Sequence, residues 1–280
     1  MPGAQDATGA TARLHRAPSH LMLRIKNLGS GSTGNATVVE AGFGAHRRRM
    51  LVDCGLGLRQ VHARLSLAKI EPESLNALFI THEHSDHVGC ALKFAARYRI
   101  PVWMSEGTYA AIGAPDLDGL LRIAHDLVEI DLGALQVRPF TVPHDAREPL
   151  QVRCTDGVSH LAILTDLGHA TSHVLEQITG CHALMLEANH DPDLLAASRY
   201  PEFLKRRVGG PYGHLANEAS AGILGHVQHA GLQHVIAAHL STQNNQPLLA
   251  QQAMATALGW QPQDIVVACP THGTSWITLA

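Results

Sequence analysis

The run Thr81-His82-Glu83-His84-Ser85-Asp86-His87 follows directly on the apolar stretch Ala77-Leu78-Phe79-Ile80. An apolar stretch that stops at polar groups reads as a buried strand ending in a loop. His82 and His84 are two residues apart, so in extended backbone they point the same way. Asp86 and His87 come where the chain must turn into a helix beginning near Val88. Such a turn aims the first pair at one ion and the second pair at another. Imidazole nitrogen and carboxylate oxygen suit zinc and similar divalent ions. Four donors in six residues at a strand end are poorly explained as a chance cluster or a solvated loop.

A fold that uses this run must bring further donors to the same place. Apolar, β-branched runs predict strands over 36–40, 50–53, 77–81, 135–140, 161–166, 183–187, 234–239, 265–268 and 275–279. Helical patterns alternate with them: Leu58, Val61 and Leu65 share one face, as do Leu215, Ala219, Ile223 and Val227. Further helices are expected at about 88–98, 192–206 and 246–258. The alternation predicts an α/β sandwich with sheet in the middle and helices outside. Several strands end in a histidine or carboxylate, namely at Asp53, His82, Asp166, Glu187 and His239. In α/β folds ligand-binding groups gather at such strand ends. His144, Asp166 and His239 are each weak signals alone. With the 81–87 run they complete two ion sites.

Composition sets bounds on partners and compartment. The chain has 280 residues, 45% hydrophobic and 16% charged, which supplies a core and excludes a disordered chain. The formal charge of −3 excludes DNA binding by bulk positive charge, but not a local phosphate site. No run approaches the roughly 18 apolar residues of a membrane helix. Residues 1–21 are small, polar and aperiodic, without the apolar centre of a secretory signal, and read as a disordered extension with Met22 as a second plausible start. No heptad, repeat or linker follows, so residues 22–280 are expected to form one domain. Cys54, Cys90, Cys154, Cys181 and Cys269 form no CxxC pair or disulfide framework and read as small buried thiols. A cytoplasmic location is expected.

The order HxHxDH, His, Asp, His resembles the metallo-β-lactamase superfamily, from about Met22 to the end. More narrowly the chain is similar to WalJ/YycJ-type members, bacterial phosphodiesterases or exonucleases. The likeness rests on Leu28-Gly29-Ser30-Gly31-Ser32-Thr33-Gly34-Asn35, Leu51-Val52-Asp53-Cys54-Gly55, His144-Asp145-Ala146, Thr165-Asp166-Leu167-Gly168, Glu187-Ala188-Asn189-His190-Asp191, Gly213-His214-Leu215-Ala216-Asn217, and His239-Leu240-Ser241 with Asn244-Asn245. The resemblance implies a four-layer αββα sandwich. It implies that His82, His84 and His144 hold one metal, that Asp86, His87 and His239 hold the other, and that Asp166 bridges them. Zinc is the expected metal, with manganese the alternative.

His214 stands where the related ribonuclease Z branch has a histidine that meets the scissile phosphate. Proton donation or phosphate stabilisation is its implied role, against a structural helix-start histidine. Glu187 is expected to orient it. Asp53 matches an aspartate that orients ligands rather than binding metal. Asp145 is expected to point away from His144. Asn189, His190 and Asp191 are expected at the mouth of the site, or Asp191 as a helix cap. The glycine-serine loop 29–35 lacks the Lys-Ser/Thr ending of a P-loop and reads as a tight loop near the metals. The triplets Arg47-Arg48-Arg49 and Lys205-Arg206-Arg207 lack the interleaved aromatics of a stacking platform, and solvated positions explain them as well as nucleic-acid contact. His160, His169, His173, His182, His226, His229 and His234 fit no ligand pattern.

Two ions roughly 3.5–4 Å apart would generate a bridging hydroxide and clamp the oxygens of an in-line displacement. The expected activity is metal-dependent hydrolysis of a phosphodiester, in DNA with 5′-exonuclease action, Asp86 helping to position the nucleophile. A small phosphodiester is the other candidate substrate. A glyoxalase II-like thioester hydrolase or a lactonase uses the same ligands, but the Gly213-to-Asn217 and Glu187-to-Asp191 motifs count against it. Asp166 stands where common zinc β-lactamases use cysteine. A non-catalytic regulatory protein would have lost ligands, and none is lost. Ala216 departs from the serine more usual in the narrow family.

Overall fold

A computed structural model describes residues 22–279; the extension expected over 1–21 lies outside them. The strands in chain order are β1 (Arg24–Gly29), β2 (Ala36–Ala41), β3 (Arg48–Val52), β4 (Ala77–Phe79), β5 (Val102–Met104), β6 (Leu121–Ile123), β7 (Ile130–Asp131), β8 (Gln136–Thr141), β9 (Leu150–Thr155), β10 (His160–Leu164), β11 (Ala183–Glu187), β12 (His234–Ala238), β13 (Ile265–Val267) and β14 (Ile277–Thr278). The helices are α1 (Leu58–Leu67), α2 (Ser85–Val88), α3 (Ala91–Tyr98), α4 (Glu106–Ala111), α5 (Ser172–Ile178), α6 (Pro192–Ala197), α7 (Glu202–Val208), α8 (Asn217–Val227) and α9 (Pro247–Leu258). One sheet runs β14-β1-β2-β3-β4-β5-β6 and the other β13-β12-β11-β10-β9-β8-β7.

Three apolar layers separate four structural layers, as the resemblance implied. The central layer packs Ile25, Val39, Met50 and Phe79 of the first sheet against Val152, Ile163, Met185 and Ile236 of the second. Alternate residues on the same strands face outward. Val38, Leu51 and Leu78 meet Val61 and Leu65 of α1 and Phe94 of α3, while Ala162, Leu184 and Val235 meet helices α5, α8 and α9. Sheets covered on both faces explain why these strands read as continuous apolar runs.

The strands β3 to β6 run parallel, as do β10 to β13. Their C-terminal ends are where the candidate donors emerge. Six expected strands stop short of their predicted ends: 50–53 at Val52, 77–81 at Phe79, 161–166 at Leu164, 234–239 at Ala238, 265–268 at Val267 and 275–279 at Thr278. At three of these ends the donor takes a left-handed φ that breaks the ladder: 58° at Asp53, 56° at Asp166 and 54° at His239. The expected helix over 88–98 divides at Gly89, and that over 192–206 divides before Pro201, where a proline cannot continue the preceding turn. His214 lies on the loop ahead of α8, which starts only at Asn217. Strands β1, β5, β6, β7 and β9 were not expected.

Candidate metal centre

The Thr81-to-His87 run crosses from β4 into α2 and is clamped against the end of β3. The amide of Cys54 donates to the carbonyl of His87 (2.9 Å), and that of Asn35 donates to the carbonyl of Asp86 (2.8 Å). The approach tolerates no side chain at Gly55, where a Cβ would stand 1.6 Å from the Asp86 carbonyl oxygen. Glycine at this position therefore sets how deeply the loop sits.

Two donor sets result. His82 Nε2 lies 3.1 Å from His84 Nδ1, which lies 3.3 Å from His144 Nε2. Asp86 Oδ2 lies 3.5 Å from His87 Nε2 and 3.5 Å from His239 Nε2. Asp166 lies against the second set, with Oδ2 3.3 Å from His87 Nε2 and Oδ1 3.5 Å from His239 Nε2, and groups with His82 of the first set and His87 as a further candidate donor cluster. Each set could hold a metal ion. Ligands about 2.1 Å from a tetrahedral ion are about 3.4 Å from one another, which matches these spacings. Asp166 is 1% exposed, and its Oδ2 has no hydrogen-bond donor. A buried carboxylate oxygen facing imidazole nitrogens fits a cation.

Four of the imidazoles are each oriented through Nδ1 by an acceptor. His87 Nδ1 donates to Asp53 (2.7 Å), His144 Nδ1 to the Gly213 carbonyl (3.2 Å) and His239 Nδ1 to Glu187 (3.0 Å). Thr81 donates its hydroxyl to Asp53 and accepts from His82 Nδ1 at 3.0 Å. In all four rings Nε2 is thereby turned toward the centre as the nitrogen available to a metal. Asp53 also accepts the Thr81 backbone amide at 2.9 Å. In loop 29–35, Ser30 receives the His239 amide and Asn35 reaches Asp86 and His87.

The charges divide in the same way. Burial and neighbouring imidazoles hold His82 below the ordinary histidine range. Burial also lowers His144. At His239 burial is outweighed by the carboxylates of Asp166, Asp86 and Glu187, which raise it to about 10. At His87 the same contest is won by Asp166 and Asp53, which raise it well above the usual value. Asp86 and Asp166 are held low by their histidines despite burial. The centre is built to be neutral-donor on one side and charge-rich on the other.

Glu187 is fully buried and does more than expected. Its Oε1 accepts from His214 (2.8 Å) as well as His239 (3.0 Å), and its Oε2 accepts from the amides of Leu167 (3.2 Å) and Leu215 (3.1 Å). Burial opposes its ionisation, yet the His214 charge and these bonds hold it at about 2. Burial likewise opposes the His214 charge, which Glu187 restores and raises.

A cleft of about 330 Å³ opens above the centre, lined by His84, Asp86, Asp166, His214 and His239 with Ser32, Asp145, Leu204 and Arg207. Asp145 was expected to point away; it turns into this cleft, with Oδ1 3.5 Å from His144 Nε2 and Oδ2 2.6 Å from Arg207 Nε. The extended-backbone rule fails because the chain turns at this point. Arg207 is thus at the cleft, not merely at a solvated helix end. Phe203, one helical turn before it, is 66% exposed and Tyr212 is 59% exposed, so aromatics do flank the second basic triplet. In the first triplet, Arg47 and Arg49 pair with Glu40, as does Arg24. Asp191 caps α6, Asn189 donates to the His239 carbonyl and His190 is buried.

Sequence reasoning missed Thr81, Asn35, Ser30 and the Asp145–Arg207 pair. The Phe203-to-Tyr212 segment had one visible signal, aromatics at Phe203 and Tyr212 around three cations. Among the described residues, no helix is long and apolar enough to cross a membrane.

The β-lactamase superfamily domain model matches residues 48–250. The chain is 33% identical over 256 residues to the exodeoxyribonuclease YycJ of Bacillus anthracis, covering 90% of this chain and 95% of that protein. It is 28% identical over 262 residues to the exodeoxyribonuclease WalJ of Streptococcus pneumoniae, covering 92% and 96%. The metallo-β-lactamase fold protein YhfI of Bacillus subtilis superposes with a TM-score of 0.69 at 14% identity, over 92% of this chain and 99% of that one.

Proposed function

This chain is a metal-dependent hydrolase of the metallo-β-lactamase superfamily, in its YycJ/WalJ-type branch, and from that premise we propose that it hydrolyses phosphodiesters at DNA ends. The observation that carries the reading is the His214–Glu187 pair at the cleft, 3.7 Å from Asp166 through His214 Nδ1. It sets a carboxylate-anchored proton donor beside two donor sets that share one carboxylate. The names of the relatives support DNA as the substrate.

His82, His84 and His144 would hold one divalent ion, and Asp86, His87 and His239 a second, with Asp166 serving both. Zinc suits these donors, and manganese is the alternative. When bound, paired divalent ions supply Lewis-acid charge for an in-line displacement at phosphorus. The residues supply the rest. Glu187 takes the Nδ1 proton of His214 as a hydrogen bond and leaves Nε2 free for a phosphate oxygen or the departing alkoxide. Asp86, on the exposed side of its set, is placed to orient the attacking water. Arg207, held by Asp145, presents positive charge to a neighbouring phosphate. Phe203 and Tyr212 offer faces on which unpaired bases stack.

The test is hydrolysis of bis(p-nitrophenyl) phosphate and of single-stranded DNA by metal-loaded protein, with His82→Ala alongside. Cleavage by the wild type and its loss in the variant are expected. Identical behaviour of the two, or hydrolysis of a thioester in place of both substrates, would overturn the proposal.

A further inference from the structure

Two cysteines that the centre does not use lie against each other beside it. Cys54 Sγ is 3.5 Å from Cys90 Sγ, and both thiols are free. Their backbones are joined as well, since the Cys90 amide donates to the Cys54 carbonyl at 3.0 Å. Cys54 is buried in the layer under α1 and α3, while Cys90 is half-buried, next to the exposed Gly89 and at the start of α3. One thiol is therefore reachable from solvent and the other is fixed behind it.

We propose that Cys54 and Cys90 form a reversible dithiol–disulfide modification site for small peroxides. The pair has an assigned order of reaction. Cys90 is the attacking sulfur: the hydrogen bond from Cys54 lowers its thiol, with the Lys93 charge one turn along α3 assisting. Cys54, buried behind it, acts as the resolving thiol. The Cys90 thiolate attacks a peroxide oxygen, the O–O bond breaks, and the departing hydroxide takes a proton to leave as water. Cys90 then carries a sulfenic acid. Cys54 attacks that sulfur, the S–O bond breaks, and a second water leaves. Overall two thiols lose two electrons and two protons, and one hydrogen peroxide becomes two waters.

The other cysteines lack this arrangement. Cys154 and Cys181 are buried, and burial pushes both thiols up, Cys181 to about 11. Cys269 is half-buried and bonds Thr271 rather than a thiol. The disulfide would close a loop spanning 36 positions that carries His82, His84, Asp86 and His87.

The test uses the reduced full-length chain in a Cys269→Ser background, treated with hydrogen peroxide and mapped without reduction. Two thiols are expected to disappear together, with the Cys54 and Cys90 peptides cross-linked and both thiols restored by dithiothreitol. Cys54→Ser should instead leave a Cys90 sulfenic acid that dimedone traps. Three results would each overturn the proposal: no thiol loss, cross-links that avoid this pair, or over-oxidation of Cys90 with no link in the protein that keeps Cys54.

Discussion

Replacing Glu187 by glutamine exposes what holds the centre together. The carboxylate accepts four N–H groups, two imidazole and two backbone, at 2.8 to 3.2 Å. A glutamine amide must turn its NH2 either to the two backbone donors or to the two imidazoles. In the first orientation two buried N–H groups lose their acceptor, at about 1–3 kcal/mol each. In the second, His214 and His239 can relax only by moving a proton to Nε2, which removes the His239 lone pair from its donor set. Either way stability falls by about 2–6 kcal/mol. For a chain of this size that is a drop in Tm of about 4–24 °C, at roughly 2–4 °C per kcal/mol. Loss of an orienting acceptor should also weaken metal binding about 10- to 100-fold. The assays are thermal unfolding of the metal-loaded protein and metal content after dialysis. A Glu187→Gln protein that keeps both its Tm and its metal would refute the role assigned to this carboxylate.

Other consequences are open to measurement. Loading metal into chelator-stripped protein near neutral pH should release about two protons, from His87 and His239, because both are raised in the protein, His239 to about 10. The release should shrink as pH approaches that value; an indicator dye in weak buffer reads it, and no release would contradict the charge assignment. Phe203→Ala should weaken single-stranded DNA binding by about 1–3 kcal/mol, roughly 5- to 150-fold, while leaving bis(p-nitrophenyl) phosphate turnover unchanged; equal effects on both substrates would remove the stacking role. Asp53→Asn should lower metal affinity about 10- to 100-fold through His87 and, by way of Thr81, His82, an outcome equilibrium dialysis checks.

The donors were legible because the HxHxDH run is contiguous, and because Asp166 and His239 directly follow apolar runs. What could not be read was backbone direction. The left-handed φ of Asp53, Asp166 and His239 turns each side chain out of the strand's alternation, and no residue type there signals it. Asp145 was misdirected for a related reason, since alternation holds only in extended chain. Strands β1 and β9 were hidden by Asn27 and Gln151, polar residues that are fully buried. Their amide NH2 groups are satisfied, that of Asn27 by the carbonyls of Gly29 and Ala36 and that of Gln151 by the carbonyl of Thr165. The second partner of Glu187 is 52 residues away, a pairing that only the parallel order of β11 and β12 creates.

The most direct test is to titrate zinc or manganese into chelator-stripped protein while following nucleotide release from 5′-phosphorylated single-stranded DNA. Two donor sets sharing Asp166 call for activity that rises to a plateau at about two equivalents of metal, and for none at any ratio in Asp166→Ala. Nucleotide release that is independent of metal, or metal bound at two equivalents with no release, would contradict the account.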